Sequence, residues 1–398
     1  MRKILGHALR YRVTDPVWRR WLWLWLTGRA KGQHAFAPHR PPYLGGTWKG
    51  LPHEESASAF PLVPTEPLEA AVDLLLAGSV VRLEPGDESA LYATAFPDPE
   101  TGRALHRFAW MPLVHDTLPP NRFKAVTLAL WRAWTARFAV PKTATRKTAA
   151  VDPWHPAIAT ERVVNMLAFA RRYGLPAPGE ETLRLLAAHG PAIAARLDYY
   201  GEAGTSGTLA GNGRGLFLLG LALGLPACAG VGGRILTEEA RRLFHPSGVL
   251  REGSTHYHLL LTRTYAEAWA AALAHRRPEE PALRAVVIAA LRIVPRLVLP
   301  GGLPLVGDIA PDCPPEHLAG LFGGTKGGWL EWLSAEDRTA FLALRATILP
   351  ADGEALRTDG WLRADFGPWS GLWHAPAGGL GARARASGSG RLRTALSA

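Results

Sequence analysis

Cysteine is almost missing from the chain: Cys228 and Cys313 are the only two in 398 residues. Two thiols cannot build a disulfide framework, and neither has metal-ligand spacing, so neither an oxidising compartment nor a metal fold is required. No cofactor is expected. Long apolar runs are missing too, and nothing approaches the ~20 apolar residues of a membrane span. The densest stretch, "VWRRWLWLWLTG" (17–28), is cut by Arg19 and Arg20. It also lacks the basic, apolar, small-residue order of a secretory signal, which makes a cytoplasmic protein the default expectation. This Trp/Arg segment either lies on a membrane surface, where both residue types are at home, or docks on the main domain, and docking is the favoured reading.

Acidic residues are scarce at the two ends. Residues 1–50 hold ten Lys/Arg against Asp15 alone, and the stretch from Gly367 holds four Arg and no acid. With a net charge of +11, that leaves −2 for the body. A nucleic-acid-binding fold carries its basic stripe on the folded body, so nucleic acid is not an expected partner.

What is abundant is amphipathic, Ala- and Leu-rich sequence with short Gly/Pro breaks such as "YGLPAPGEE" and "LPGGLPLVGD". Residues 1–65 read as a basic, Trp-rich arm, extended over 30–65. Apolar spacing predicts helices at about 66–78, 120–139, 156–173, 180–198, 209–224, 234–244, 256–275, 279–298 and 325–347, with β-like pieces near 80–97 and 105–114. Helices of this length with short loops and no fixed repeat predict an all-α fold, an α/α toroid over 66–347 built as an incomplete barrel of antiparallel pairs. "GWLRADFGPWSGLWHAP" then alternates like the opening strands of a β-sheet domain over 348–376. The stretch 377–398, without aromatic or acidic residues, reads as a disordered tail. It resembles GC-rich DNA translated out of frame, so a frameshift or truncation near 376–381 is expected, and reading the other two frames of the gene tests it.

Four constellations can carry chemistry. In "LREGSTHYHLLL" (250–261), Arg251, Glu252, His256, Tyr257 and His258 gather at a helix N-terminus with Ser254 or Thr255 as N-cap. Unpaired backbone N–H groups, Arg and protonated His would favour a phenolate there and lower the Tyr257 pKa, making it a general base or acid. The alternative is a set of half-buried, hydrogen-bonded helix-start residues. In "GEAGTSGTLAGNGRGLFLLG" (201–220), a Gly-rich loop including Gly207 and Thr208 runs into an apolar helix carrying Asn212 and Arg214. It lacks the order of a phosphate-binding loop; at a rim it would place Asn212 toward a carboxylate. In "LVGDIAPDCPPEHLAGL" (305–321), Asp308 and Asp312 are a carboxylate pair or, the favoured reading, caps for the helix begun by Pro314-Pro315-Glu316. In "DPWHPAIATERVVNMLAFARR" (152–172), Trp154 is a sugar-stacking platform or a core residue.

Taken in order, "WHPAIATERVVNMLAFA", "GTSGTLAGNGRGLFLLGLALG", "VLREGSTHYHLLLT" and "LVGDIAPDCPPEHLAGL" resemble the helical part of bacterial heparinase II/III family proteins. The resemblance covers about Asp15 to Trp373, and "REGSTHYH" is its most specific part. It implies a toroid followed by a β-sandwich, β-elimination of uronic-acid-containing polysaccharide, and often export. It also implies that Tyr257 serves as base and acid, while an Asn-His pair in the upstream loop and a His from the β domain neutralise the substrate carboxylate. Gly207-Thr208 stand where that pair is expected, and no His occurs between His189 and His245. Asn212 is the stand-in, and the β-domain His is expected to be missing. The expected partner is an anionic polysaccharide, with Tyr257, His258 and Asn212 as catalytic candidates. Arg251, Glu252, His256, Arg214, Gly207, Thr208, Trp154 and Asp308 are the substrate-binding candidates. The alternatives are a non-catalytic saccharide-binding homologue and a toroid glycosidase using Glu252 and Asp308.

Overall fold

The computed structural model describes residues 15–29, 38–45, 48–64, 66–139, 151–200, 206–375 and 393–397. The first fourteen residues, with five of the ten basic side chains of the arm counted above lying in them or at Lys31, and the stretch 376–392 lie outside the described residues.

Helix α1 (Pro16–Leu26) begins at Asp15, whose carboxylate accepts the Val17 N–H at 2.9 Å, with Pro16 in the first helical position. Val17 and Trp21 are buried while Trp23, Trp25 and Leu26 are exposed. The helix docks on the helical segment Pro226–Leu243 through a buried bidentate pair from Arg242 to Asp15, at 2.8 and 3.1 Å, and through Arg20 to Glu238.

The expected helix at 66–78 is a hairpin instead. Strands β1 (Val72–Leu76) and β2 (Ser79–Leu83) pair antiparallel, with Leu76 opposite Ser79. Ala77 and Gly78 between them both take positive φ, 49° and 83°, the geometry of a two-residue hairpin turn. Val72, Leu74 and Leu76 are buried in alternation, a period the short apolar run does not distinguish from a helix. The expected β character at 105–114 is corrected too: α2 (Pro99–Arg107) occupies it, capped by Asp98 with Pro99 at its start, and a helical turn follows over Met111–Val114.

The body is an incomplete α/α toroid. Its helices are α3 (Pro120–Phe138), α4 (Pro156–Tyr173), α5 (Gly179–Ala195), α6 (Gly207–Leu223), α7 (Pro226–Leu243), α8 (Thr255–Ala274), α9 (Glu280–Leu297) and α10 (Ala335–Ala346). Links of two to five residues fold α4 against α5, α6 against α7, and α8 against α9 as antiparallel pairs, and α6 also packs on α4 and α8. The α6–α7 pair is the tightest. A Cβ at Gly232 would run into the backbone nitrogen of Phe217 and come within 2.6 Å of the Gly213 carbonyl, and one at Gly220 would meet the backbone of Ala229. These glycines explain why α7 begins at Pro226, eight residues before the expected 234, and runs through "AGVGG". Gly232→Ala is therefore expected to destabilise by about 1–3 kcal/mol despite the better helix propensity of Ala, lowering Tm by several degrees in a thermal melt. An unchanged Tm would mean the helices can separate freely.

The helix expected over 325–347 is broken. A short turn spans Trp329–Trp332, and Ser334 caps α10 by accepting the Asp337 N–H at 3.0 Å. Strands β3 (Trp361–Phe366) and β4 (Trp369–His374) form a hairpin that packs Trp361 and Leu372 on Ile293, Leu297 and Val306. Residues 393–397, expected within a disordered tail, form β5 (Arg393–Ser397) and pair antiparallel with β4. Pairing gives β4 a second neighbour, so the N–H and C=O groups of that edge are satisfied.

Candidate active site

Ser254 is the N-cap of α8. Its hydroxyl accepts the Tyr257 N–H at 3.0 Å and donates to the Asp308 carbonyl at 2.6 Å. Thr255 donates to the Pro304 carbonyl and its own N–H reaches Val306, so the turn is bound to the 304–310 loop. Gly253 has φ 73° and lies so close to His374 that a Cβ there would meet the imidazole. This imidazole comes from β4 and is not among the residues that line the cavity described below. His374 also stacks on Trp361 at 4.4 Å, and burial, with His245 nearby, lowers its pKa to about 4.

Four of the five polar residues at this helix start stand outside the cavity described below, three of them bonded to backbone groups. His258 is fully buried: Nδ1 accepts the Leu250 N–H at 3.3 Å, so Nε2 carries the proton and donates to the Ala290 carbonyl at 3.1 Å. Burial lowers its pKa to about 4. This corrects its place among the catalytic candidates, because a fully enclosed and fully bonded ring reaches no substrate. His256 is buried with Nδ1 accepting the Ala310 N–H at 3.1 Å, and Arg251 donates from Nε to the Phe244 carbonyl. Glu252 sits near Asp308; burial, then the Asp308 charge, raises its pKa. Neither carboxyl lines the cavity described next. Asp312 corrects the capping expectation, since its carboxylate pairs with Arg107 on α2 at 2.6 Å and no side chain caps the Pro315–Leu321 turn.

A cavity of about 510 Å³ opens between α4, α6, α8 and the 310–337 segment, and Tyr257 lines it together with Gly207, Thr208, Asn212 and Arg214. Tyr257 is half-buried, and among the described residues its hydroxyl has no hydrogen-bond partner. Its pKa is raised to about 12 by burial and by Glu252, Asp312 and Asp308, with Arg107 opposing. The expected lowering is thereby reversed. The neighbouring His are buried and neutral, so they supply no positive charge, and three carboxylates outnumber one guanidinium.

Asn212 stands in the wall, fully buried, but its amide is engaged: Oδ1 accepts the Asp198 N–H at 2.9 Å and Nδ2 reaches Thr160 Oγ1 at 3.4 Å. Arg214 is likewise fully buried, bidentate to Glu161 at 2.8 Å on both oxygens and 3.3 Å from Glu267. Trp154 lies away from the cavity, and its expected stacking role is corrected. Its indole donates to the Phe138 carbonyl at 2.8 Å, and the Arg162 guanidinium lies 5.1 Å from its ring and 4.0 Å from Trp134.

Several cavity residues escaped the sequence reading. Arg263 and Glu267 follow Tyr257 on α8, and Glu161 comes from α4. Arg263 lies 3.6 Å from Glu267 and 3.8 Å from Glu161. Continuing the 3.6-residue period past Tyr257 would have flagged that face, since Leu260, Leu261, Thr264, Glu267 and Ala271 all line the cavity. Arg107 had no local signal at all. His317 also lines the cavity, buried, with Nε2 unpartnered among the described residues and a pKa lowered to about 3 by burial and Arg263.

No family model matches this chain, and no curated protein does either. Among solved structures, the chain is similar to a heparinase III, with 12% identity, a TM-score of 0.47, and coverage of 76% of this chain and 48% of that one. It is also similar to the heparan sulfate lyase from Pedobacter heparinus, with 16% identity, a TM-score of 0.43, and coverage of 75% and 48%. The chain spans about half the length of these structures.

Proposed function

We propose that the cavity binds a uronic-acid-containing polysaccharide and that Tyr257 moves the proton in a β-elimination. The observation that carries this reading is a half-buried phenol, unbonded among the described residues, in a cavity wall beside partly exposed guanidiniums. The proton alpha to a uronate carboxylate is hard to remove while that carboxylate is charged. Arg107 and Arg263, with side chains 18% and 14% exposed, are the groups that can offset it. The phenolate takes the C5 proton, the C–H electrons form the C4=C5 double bond, and the C4–O bond breaks. The phenol so formed then protonates the leaving oxygen.

Ultraviolet absorbance from the unsaturated uronate, appearing with alginate, heparan or a bacterial exopolysaccharide, tests the reading. Reducing sugar without that absorbance would instead indicate hydrolysis. A second reading, saccharide binding without turnover, draws on the engagement of the Asn212 amide and the enclosure of His258; binding with neither product supports it. The raised pKa makes the pH dependence distinctive. Because only the rare phenolate abstracts the proton, kcat/KM is expected to rise about tenfold per pH unit from neutrality toward pH 10. A plateau below pH 9 assigns the proton transfer to another group.

A further inference from the structure

Helix α1 is apolar on both of its faces. Val17 and Trp21 turn inward, with the Arg234 guanidinium 5.3 Å from the Trp21 ring, and Leu24 packs on the same core. At helical spacing, Leu22, Trp23 and Leu26 share the opposite face with Arg19. Trp23 is 63% exposed and Leu26 65%. A docked surface helix ordinarily carries polar or charged residues on its outer side. Large apolar groups repeated there instead mark contact with a second apolar phase. The surroundings are basic. Arg19 is exposed near the start of the helix, Arg29 just beyond its end, and Arg234 and Arg241 on the neighbouring α7. Glu238, at the seam between the two helices, is largely buried and already shared by Arg20 and Arg241. The sequence holds no acidic residue between Asp15 and Glu54, and Asp15 is buried against Arg242.

We propose that α1 attaches the protein to the surface of an anionic lipid bilayer, with Trp23 and Leu26 entering the headgroup region and the arginines around them meeting lipid phosphates. The attachment is peripheral, because no described helix is long and apolar enough to cross a membrane. An acidic polysaccharide would match the guanidiniums but offers no hydrocarbon to Trp23 and Leu26. A neutral apolar partner would leave the arginines unmatched. A bilayer interface supplies both, and Trp and Arg each place an apolar body and a polar tip across it. The Arg242–Asp15 pair and the buried Val17 and Trp21 already hold the helix on α7, so its outer face is presented without a folding step on binding. No residue of α1 lines the cavity, so this contact is independent of the polysaccharide reading.

Vesicle flotation with the full chain tests this, comparing phosphatidylcholine alone with equal parts phosphatidylcholine and phosphatidylglycerol. The protein is expected to float with the anionic vesicles, to bind the neutral ones at least tenfold more weakly, and to be released as salt is raised. Trp23→Ser combined with Leu26→Ser is expected to weaken anionic binding about tenfold or more, with Tm unchanged because both side chains are exposed. No flotation with anionic vesicles overturns the proposal, and so does equal binding to both lipids. A folded double variant that binds as wild type also overturns it, by assigning the attraction to the basic chain ends alone. Concentration-dependent self-association in sedimentation, abolished by the same double variant, overturns it by giving the face to a second copy of the chain. Should the double variant not fold, Arg19→Glu with Arg29→Glu takes its place: several-fold weaker anionic binding supports the proposal, and unchanged binding overturns it.

Discussion

Tyr257→Phe is expected to lower kcat for uronate elimination by about 10²–10⁴-fold, the usual contribution of a positioned acid–base group, with KM and Tm nearly unchanged. The substitution removes a hydroxyl that has no partner among the described residues, so it breaks no hydrogen bond, and the ring keeps its packing beside His256. Two other tyrosines provide the contrast. Tyr265 donates to the Leu236 carbonyl at 3.0 Å and Tyr43 to Glu239 at 2.7 Å, both from buried positions. Their Phe variants strand a buried acceptor and are expected to cost about 1–3 kcal/mol of stability, with turnover per folded molecule unchanged. Steady-state kinetics alongside thermal melts separate the two patterns. Retention of wild-type turnover in Tyr257→Phe would remove the tyrosine from the mechanism.

Arg242→Ala is expected to cost about 3–5 kcal/mol, a large part of the 5–15 kcal/mol that stabilises a typical domain. Its guanidinium is buried among Asp15, Glu239 at 3.3 Å and the Tyr199 ring at 5.2 Å, so removing it leaves two carboxylates without their counter-charge. Asp15 is also the N-cap of α1, and the variant should expose that helix to proteolysis before the rest of the chain. Burial already raises the Glu239 pKa, with Arg242 opposing. Without Arg242 the folded state holds that proton more tightly still, whereas the unfolded chain releases it in the ordinary Glu range. Stability of the variant therefore falls as pH rises through and above that range. Denaturant titrations at several pH values check this, and an Arg242→Ala protein as stable as wild type would mean that water already reaches the network.

Much of the fold was legible because helices announce themselves locally. The 3.6-residue apolar period located α3 to α6, α8 and α9 closely, and of the two caps that residue type offered, Ser254 and Thr255, it is Ser254 that caps α8. The failures came where local signals compete. "LEAAVDLLLAG" suits a helix by propensity, and only the Ala77-Gly78 turn and the packing of β1 made it a strand. "AGVGG" looks like a break, yet stays helical because glycine lets α7 approach α6.

The candidate site divides in the same way. Sequence by itself determined that Tyr257 stands at a helix start among His, Arg and Glu, and that a glycine-rich helix carrying Asn212 and Arg214 comes before it. Only the tertiary structure decided which of these groups meet a cavity. It buried His258 and Trp154, engaged the Asn212 amide, brought Arg107 to Asp312 across 205 positions of chain, and set His374 against Gly253. It also reversed the expected pKa of Tyr257. Capping and helix period are read within a few residues, whereas burial and charge pairing depend on groups that only the folded chain brings together.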